Sequence, residues 1–229
     1  MKPKVVMKRS SLDRPSAALR VSRVHQPVTV LGPGRRLGLW LQGCSIQCRG
    51  CVSRDTWDPA GGELFNADRL AELVVEGLDA GLDGVTISGG EPFDQPEGLA
   101  CLLGLLRPEL DRRRADLLVY SGYSLGYLQR HYERILARAD AVITGPFRDD
   151  LPTSLIWRGS SNQRLDPITE TGAARYAPFQ DYVQENPSVQ LSVNGGIWMV
   201  GIPRRGDLDL VAAALDKQGV TMEGASWKA

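Results

Sequence analysis

The sequence predicts an α/β fold: a parallel sheet with covering helices, then a small β-hairpin and a last helix. Three observations predict it. Between Leu37 and Thr144, short apolar runs alternate with segments whose apolar residues recur at helical spacing. Glycine- or proline-bearing turns separate these segments. Further on, Val189 to Val193 and Ile197 to Ile202 flank Asn194-Gly195-Gly196, a strong hairpin signal. With 229 residues, 42% of them hydrophobic, the chain is long enough for one full core and a small appendage.

The elements follow in order. Residues 1–20 read as a basic leader, since Lys2, Lys4, Lys8, Arg9, Arg14 and Arg20 face only Asp13. The leader lacks the continuous apolar segment of a secretory signal, which sets a cytoplasmic expectation. LGLWLQ, Leu37 to Gln42, is a buried strand entered from Gly32-Pro33-Gly34. Asn66 caps a helix carrying Leu70, Leu73, Val74 and Leu78, and Gly81 and Gly84 close it. Val85 to Ile87 is a β-branched strand, and a second helix starts at Pro96 with Leu99, Leu102, Leu103 and Leu106.

Leu117 to Tyr120 is the next strand, and Leu125, Leu128, Tyr132, Ile135 and Leu136 mark a third helix. Ala141 to Thr144 is another strand. Residues 148–188 are polar and aperiodic, which predicts loop with short helical pieces. Asp207 to Gln218 is a helix with Leu210, Val211, Ala214 and Leu215 on one face.

Formal net charge is zero and the isoelectric point is about 6.7, so nothing draws the whole molecule onto nucleic acid or anionic lipid. No apolar run approaches the ~20 residues that cross a bilayer.

Chemistry concentrates in the cysteines. Three of the four, Cys44, Cys48 and Cys51, share one short loop, a pattern of metal or redox chemistry rather than of a disulfide framework. Fe–S clusters generally take four thiolates, so three leave one metal position for a substrate or cofactor. A zinc site completed by Cys101, His25 or His131 is the competing reading. Cys101 sits in an apolar helix, where a buried inert thiol is the simpler account.

In a parallel sheet, reactive groups lie beyond the carboxyl ends of the strands. The cysteine loop, Gly89 to Pro92, Ser121 to Tyr123 and Gly145 to Phe147 all fall on that edge.

LGPGRRLGLWLQGCSIQCRGC, residues 31–51, and SGGEP, residues 88–92, together resemble the radical S-adenosylmethionine (SAM) activating enzymes. Arg54-Asp55-Thr56-Trp57-Asp58 looks like the same segment of pyruvate formate-lyase activating enzyme. SLIWRGSSNQ, residues 154–163, resembles the C-terminal signature of anaerobic ribonucleotide reductase activating proteins. The resemblance covers residues 21–165, the expected catalytic domain, and leaves 166–229 as a C-terminal extension packed on it. It implies a partial TIM-type (β/α) barrel, and a [4Fe–4S] cluster held by Cys44, Cys48 and Cys51.

It also implies SAM bound at Ser88, Gly89, Gly90, Glu91 and Pro92. Glycine permits close approach of backbone to ligand, and the Glu91 carboxylate accepts from an ammonium group. Ser121 is a further SAM candidate. Arg158, Asn162, Asp55 and Trp57 are candidates for substrate or partner contact; Arg158 and Asn162 are of types suited to anion and backbone recognition.

The implied reaction is reductive cleavage of SAM to a 5′-deoxyadenosyl radical, with reduced flavodoxin or ferredoxin as electron donor. A glycyl-radical enzyme is the implied protein substrate. Two other readings stay open: a divergent relative that modifies another protein, peptide or small molecule, and a non-catalytic iron–sulfur electron carrier. Bland readings accompany several residues: Trp40 as core, Tyr120, Tyr123 and Tyr127 as packing rather than cavity lining, Ser160 to Asn162 as a loop bonded to itself, and Arg112 to Arg114 as a solvated helix end.

Overall fold

The computed structural model describes residues 17–185, 189–193, 197–204 and 206–220. Most of the basic leader, the hairpin turn at 194–196 and the last nine residues lie outside the described residues. Four strands make the parallel centre: β2 (Arg36–Leu41), β4 (Gly84–Gly89), β5 (Asp116–Ser121) and β6 (Ala141–Thr144). β1 (Ala18–Val28) adds antiparallel to β2, and β3 (Glu63–Asn66) antiparallel to β1. On the far side β7 (Arg164–Pro167) adds antiparallel to β6, giving one seven-stranded sheet of order β3-β1-β2-β4-β5-β6-β7.

The central strands are buried almost throughout, as continuous apolar runs demand. Helix α1 (Ala67–Asp79) puts Leu70, Val74 and Leu78 into the core. Helix α2 (Pro96–Arg113) starts on Pro96, where the missing N–H costs nothing, and buries Leu99, Leu102, Leu103, Leu106 and Leu110. The next helical stretch is two pieces, α3 (Leu125–His131) and α4 (Glu133–Leu136), broken at Tyr132, which leaves helical geometry.

Three strands escaped the sequence reading: β1, β3 and β7. β1 buries Leu19 and Val21 around half-buried Arg20, lies between β3 and β2, and starts inside the stretch read as leader. β7 lies in the polar region read as loop with short helical pieces, and helix α5 (Glu170–Tyr176) is one such piece.

The hairpin forms from β8 (Val189–Val193) and β9 (Ile197–Gly201). Val200 packs with Val28, Leu31 and Trp40. The Gln190 side chain accepts from the Thr29 N–H at 3.0 Å and donates to the Pro27 carbonyl at 2.7 Å. Helix α6 (Asp207–Asp216) follows and leaves Leu210 70% exposed. Among the described residues no helix is long and apolar enough to cross a membrane.

Candidate functional site

Parallel pairing of β2, β4, β5 and β6 brings four carboxyl-terminal loops to one edge. The cysteine loop leaves β2 through Gly43, which has φ +95, a region glycine adopts freely. Main-chain bonds hold its first turn: the Gly43 N–H donates to Thr56 O at 2.7 Å and the Cys44 N–H to Trp57 O at 3.1 Å. Gln42 ties the same segment down, its amide donating to the Asp55 and Asp58 carbonyls.

The SGGEP turn is stitched directly to this loop. The Gly90 N–H donates to Leu41 O and the Glu91 N–H to Gly43 O, both at 2.8 Å. A Cβ on Gly89 would collide with the Leu41 main chain, and one on Gly90 with the Gly43 carbonyl. The close approach these glycines permit is therefore to the cysteine loop itself.

Glu91 is 1% exposed. Its carboxylate accepts from the Phe93 N–H at 3.1 Å, Ser121 Oγ at 2.8 Å and the Gly122 N–H at 2.7 Å. The group thus clasps the ends of β4 and β5 together. Burial pushes its pKa up to about 7, and those donors offset part of the rise. Ser121 reaches the site through this clasp, Ser88 is half-buried at the end of β4, and Pro92 opens the short 3-10 turn Pro92–Asp94.

Asp94 and Ser45, which sequence reasoning passed over, fix the cysteine loop from the other side together with Tyr123. Asp94 accepts from the Ser45 N–H at 2.7 Å, from Ser45 Oγ at 3.0 Å and from the Tyr123 hydroxyl at 2.9 Å. Asp94 lies two residues beyond SGGEP, and proximity to that motif was the only signal for it. Tyr123 stacks on Tyr127 with ring centroids 4.6 Å apart, so its packing and its hydrogen bond act together.

All three loop cysteines are partly exposed, and burial of each raises its thiol pKa. The Cys51 N–H donates to Cys48 O at 3.1 Å, and the Ser53 N–H points at Cys51 Sγ at 3.4 Å. Among the described residues no three His, Cys, Asp or Glu converge on a single ion. Three thiols on one loop are the donor type an iron–sulfur cluster takes, each able to bind one of its irons. Since thiolate is the ligand form, assembly must displace protons from these thiols. Cys101 sits apart in α2, packed against the core.

The remaining candidates divide. Trp57 lines a cleft of about 310 Å³ with Gln42, Cys44, Ser45 and Asp94, and Arg54 lies over its ring at 5.3 Å. Asp55 is ion-paired with Arg23. Asn162 donates to Pro146 O at 2.8 Å, and Gln163 donates to Gly145 O while accepting from the Gly159 N–H. With Ser160 Oγ accepting from the Arg148 N–H at 3.1 Å, this segment braces the loop after β6. Arg158 instead faces a second, larger cavity.

Residues 30–166 match the model of a family described as a 4Fe–4S single cluster domain, and the chain belongs to that family. Curated relatives are anaerobic ribonucleoside-triphosphate reductase-activating proteins. That of Enterobacteria phage T4 is 30% identical over 149 residues, covering 64% of this chain and 93% of its own length. That of Pasteurella multocida (strain Pm70) is 34% identical over 147 residues, covering 62% and 92%. That of Escherichia coli (strain K12) is 32% identical over 144 residues, covering 61% and 93%. Among solved structures, QueE from Escherichia coli is 16% identical with a TM-score of 0.39, covering 57% of this chain and 72% of its own, a likeness that adds no weight.

Proposed function

We infer that this protein is a radical SAM activating enzyme that installs a glycyl radical on a partner of the anaerobic ribonucleotide reductase type. One observation supports it most: the SGGEP turn is bonded through its main chain to the loop bearing Cys44, Cys48 and Cys51. A glycine-rich turn for the methionyl end of SAM and a three-thiol loop have to be neighbours for this chemistry, and here one backbone ladder sets their spacing. The relatives' names supply the reaction class. The four parallel strands then form the partial barrel, residues 21–165 the catalytic domain and 166–229 its extension.

A cluster on these thiols would supply the electron that splits SAM into methionine and a 5′-deoxyadenosyl radical, fed by reduced flavodoxin or ferredoxin in the cytoplasm. The protein's own work is positioning. Asp94 and Tyr123 hold Ser45, and with it the backbone of Cys44. Glu91 clasps β4 to β5, so the turn facing the cofactor keeps its shape. Gly89 and Gly90 let that turn lie against the cysteine loop without a side chain between them.

Anaerobically reconstituted protein should carry about four irons per chain. Cys44→Ala, Cys48→Ala or Cys51→Ala should each remove the cluster, and Cys101→Ala should leave it intact. With dithionite and SAM the wild type should release 5′-deoxyadenosine, and the partner should show a glycyl-radical signal by electron paramagnetic resonance. Cluster without SAM cleavage would leave an electron carrier. Cleavage without a radical on any such reductase would favour the second reading, a radical SAM enzyme for another substrate. That reading has one observation of its own: the family match ends at residue 166 and the chain continues.

A further inference from the structure

The larger cavity, of about 770 Å³, draws its walls from both sides of the point where the family match ends. Gly50 and Val52, which flank Cys51, contribute one part. Phe147, Trp157 and Arg158 contribute another from within the matched region. Ile202, Arg204 and Leu208 face it from the extension. A chamber of this size accommodates a small organic ligand, or a few residues of a polypeptide.

Among the described residues, two cations line the chamber with no ion pair to their guanidinium groups, although the Asp207 carboxylate accepts from the Arg204 main-chain N–H at 2.7 Å. Arg158 is 6% exposed, and its guanidinium donates only to main-chain carbonyls, Nε to Ile156 at 3.2 Å and Nη2 to Phe179 at 3.0 Å. Arg204, from the extension, donates to the Gln184 and Glu185 carbonyls. Among the described residues neither forms an ion pair, whereas the wall residues Arg148 and Asp149 are paired with Asp150 and Arg49. Asp181 and Asp166 act on Arg158 only from beyond ion-pair distance, and burial depresses its guanidinium. Asp209, exposed at the start of α6, is the other acid on the wall.

Each guanidinium has five N–H donors and spends a minority of them on carbonyls. A buried cation left without a counter-ion is costly, and a planar fork is suited to a carboxylate. The neighbouring wall, with Phe147, Trp157 and Ile202, is apolar and aromatic.

We propose that Arg158 and Arg204 form a clamp for a carboxylate on the substrate, whose apolar body lies against Phe147, Trp157 and Ile202 beside the cysteine loop. The clamp needs both regions of the chain, so the extension is part of substrate recognition. This deepens the proposed function and rests on it for the ligand's role, but the clamp itself can be tested separately.

The probe is indole-3-acetate, with uncharged indole-3-acetamide as its control, titrated calorimetrically into the anaerobically reconstituted full chain. The acid should bind at least about tenfold more tightly than the amide. Arg158→Gln and Arg204→Gln should each remove most of that preference, and Arg204→Lys, which keeps the charge, should retain part of it. Amide affinity checks that the chamber survives each substitution. Saturating SAM should leave acid binding unchanged. If SAM displaces the acid and Arg158→Gln weakens SAM, the carboxylate is SAM's own and the substrate assignment is overturned. Equal affinity for acid and amide, or no measurable binding of the acid, overturns the clamp. Loss of SAM cleavage with the acid preference intact would strike the proposed function and leave the clamp standing.

Discussion

Glu91 is where single-residue physics is most exposed. Three donors converge on a carboxylate that is almost wholly buried, yet desolvation outweighs them and holds its pKa at about 7. Because the folded value lies above the ordinary one of 4.5, the folded state prefers the protonated acid. The stability this group contributes is therefore complete below pH 4.5 and is lost as pH rises through 7. Glu91→Gln cannot titrate. We predict that cluster-free Glu91→Gln protein gains on the wild type by about 3 kcal/mol between pH 4.5 and pH 8, read by urea unfolding. A pH-independent difference between the two proteins would refute the assignment. Sequence reading picked Glu91 from its motif as an acceptor for an ammonium group. The clasp depends on Ser121 and Gly122, thirty residues away, and no local pattern could reveal that.

Elements explain which parts of the fold could be read early. β4, β5 and β6 were legible because a strand covered on both faces must be apolar throughout. β1 carries half-buried Arg20, Arg23 and His25 and exposed Gln26, and that composition reads as leader until β2 is seen to pair with it. β7 has only four residues and ends in proline, so pairing with β6 rather than propensity makes it a strand. The shared carboxyl edge was legible from alternation alone, whereas the hydrogen bonds joining its loops were not.

Those bonds give a test at the same scale. Gly90 lies against the Gly43 carbonyl with no room for a methyl group, and the carbonyl belongs to the backbone that carries Cys44. Gly90→Ala must push the two loops apart, at about 1–3 kcal/mol of overpacking. We expect lower melting temperature and incomplete iron loading, measured by iron content. Gly104→Ala is the control, because its Cβ would meet only Arg138 side-chain atoms, at 3.9 Å. Equal iron loading in both variants would show that the stitch does not position the cysteines.

At the scale of the whole molecule, the boundary of the family match and the boundary of the core do not coincide. The match stops at residue 166, but α5 beyond it sends Tyr176, 0% exposed, back to the Asp116 carboxylate, and Arg175 pairs with the same group. Asp116 also holds fully buried Arg36 at 2.6 Å, so this network locks the amino ends of β2 and β5. Truncation after Asp166 would remove two of the three partners of a buried carboxylate and open the space left by a large side chain. Each of those losses costs about 3–5 kcal/mol, comparable to a domain's whole stability.

Truncation after Glu185 keeps α5 and removes only the hairpin and α6, whose described contacts with the sheet are Val200, Gln190 and their neighbours. We predict that the shorter chain is insoluble or melts far below the full chain. The longer one should fold, load iron and cleave SAM without coupling to substrate, having lost the Arg204 wall of the large cavity. Thermal melts, iron content and 5′-deoxyadenosine release separate these outcomes. A chain ending at Asp166 as stable as the one ending at Glu185 would place the α5 network outside the core and move the extension's role wholly to recognition.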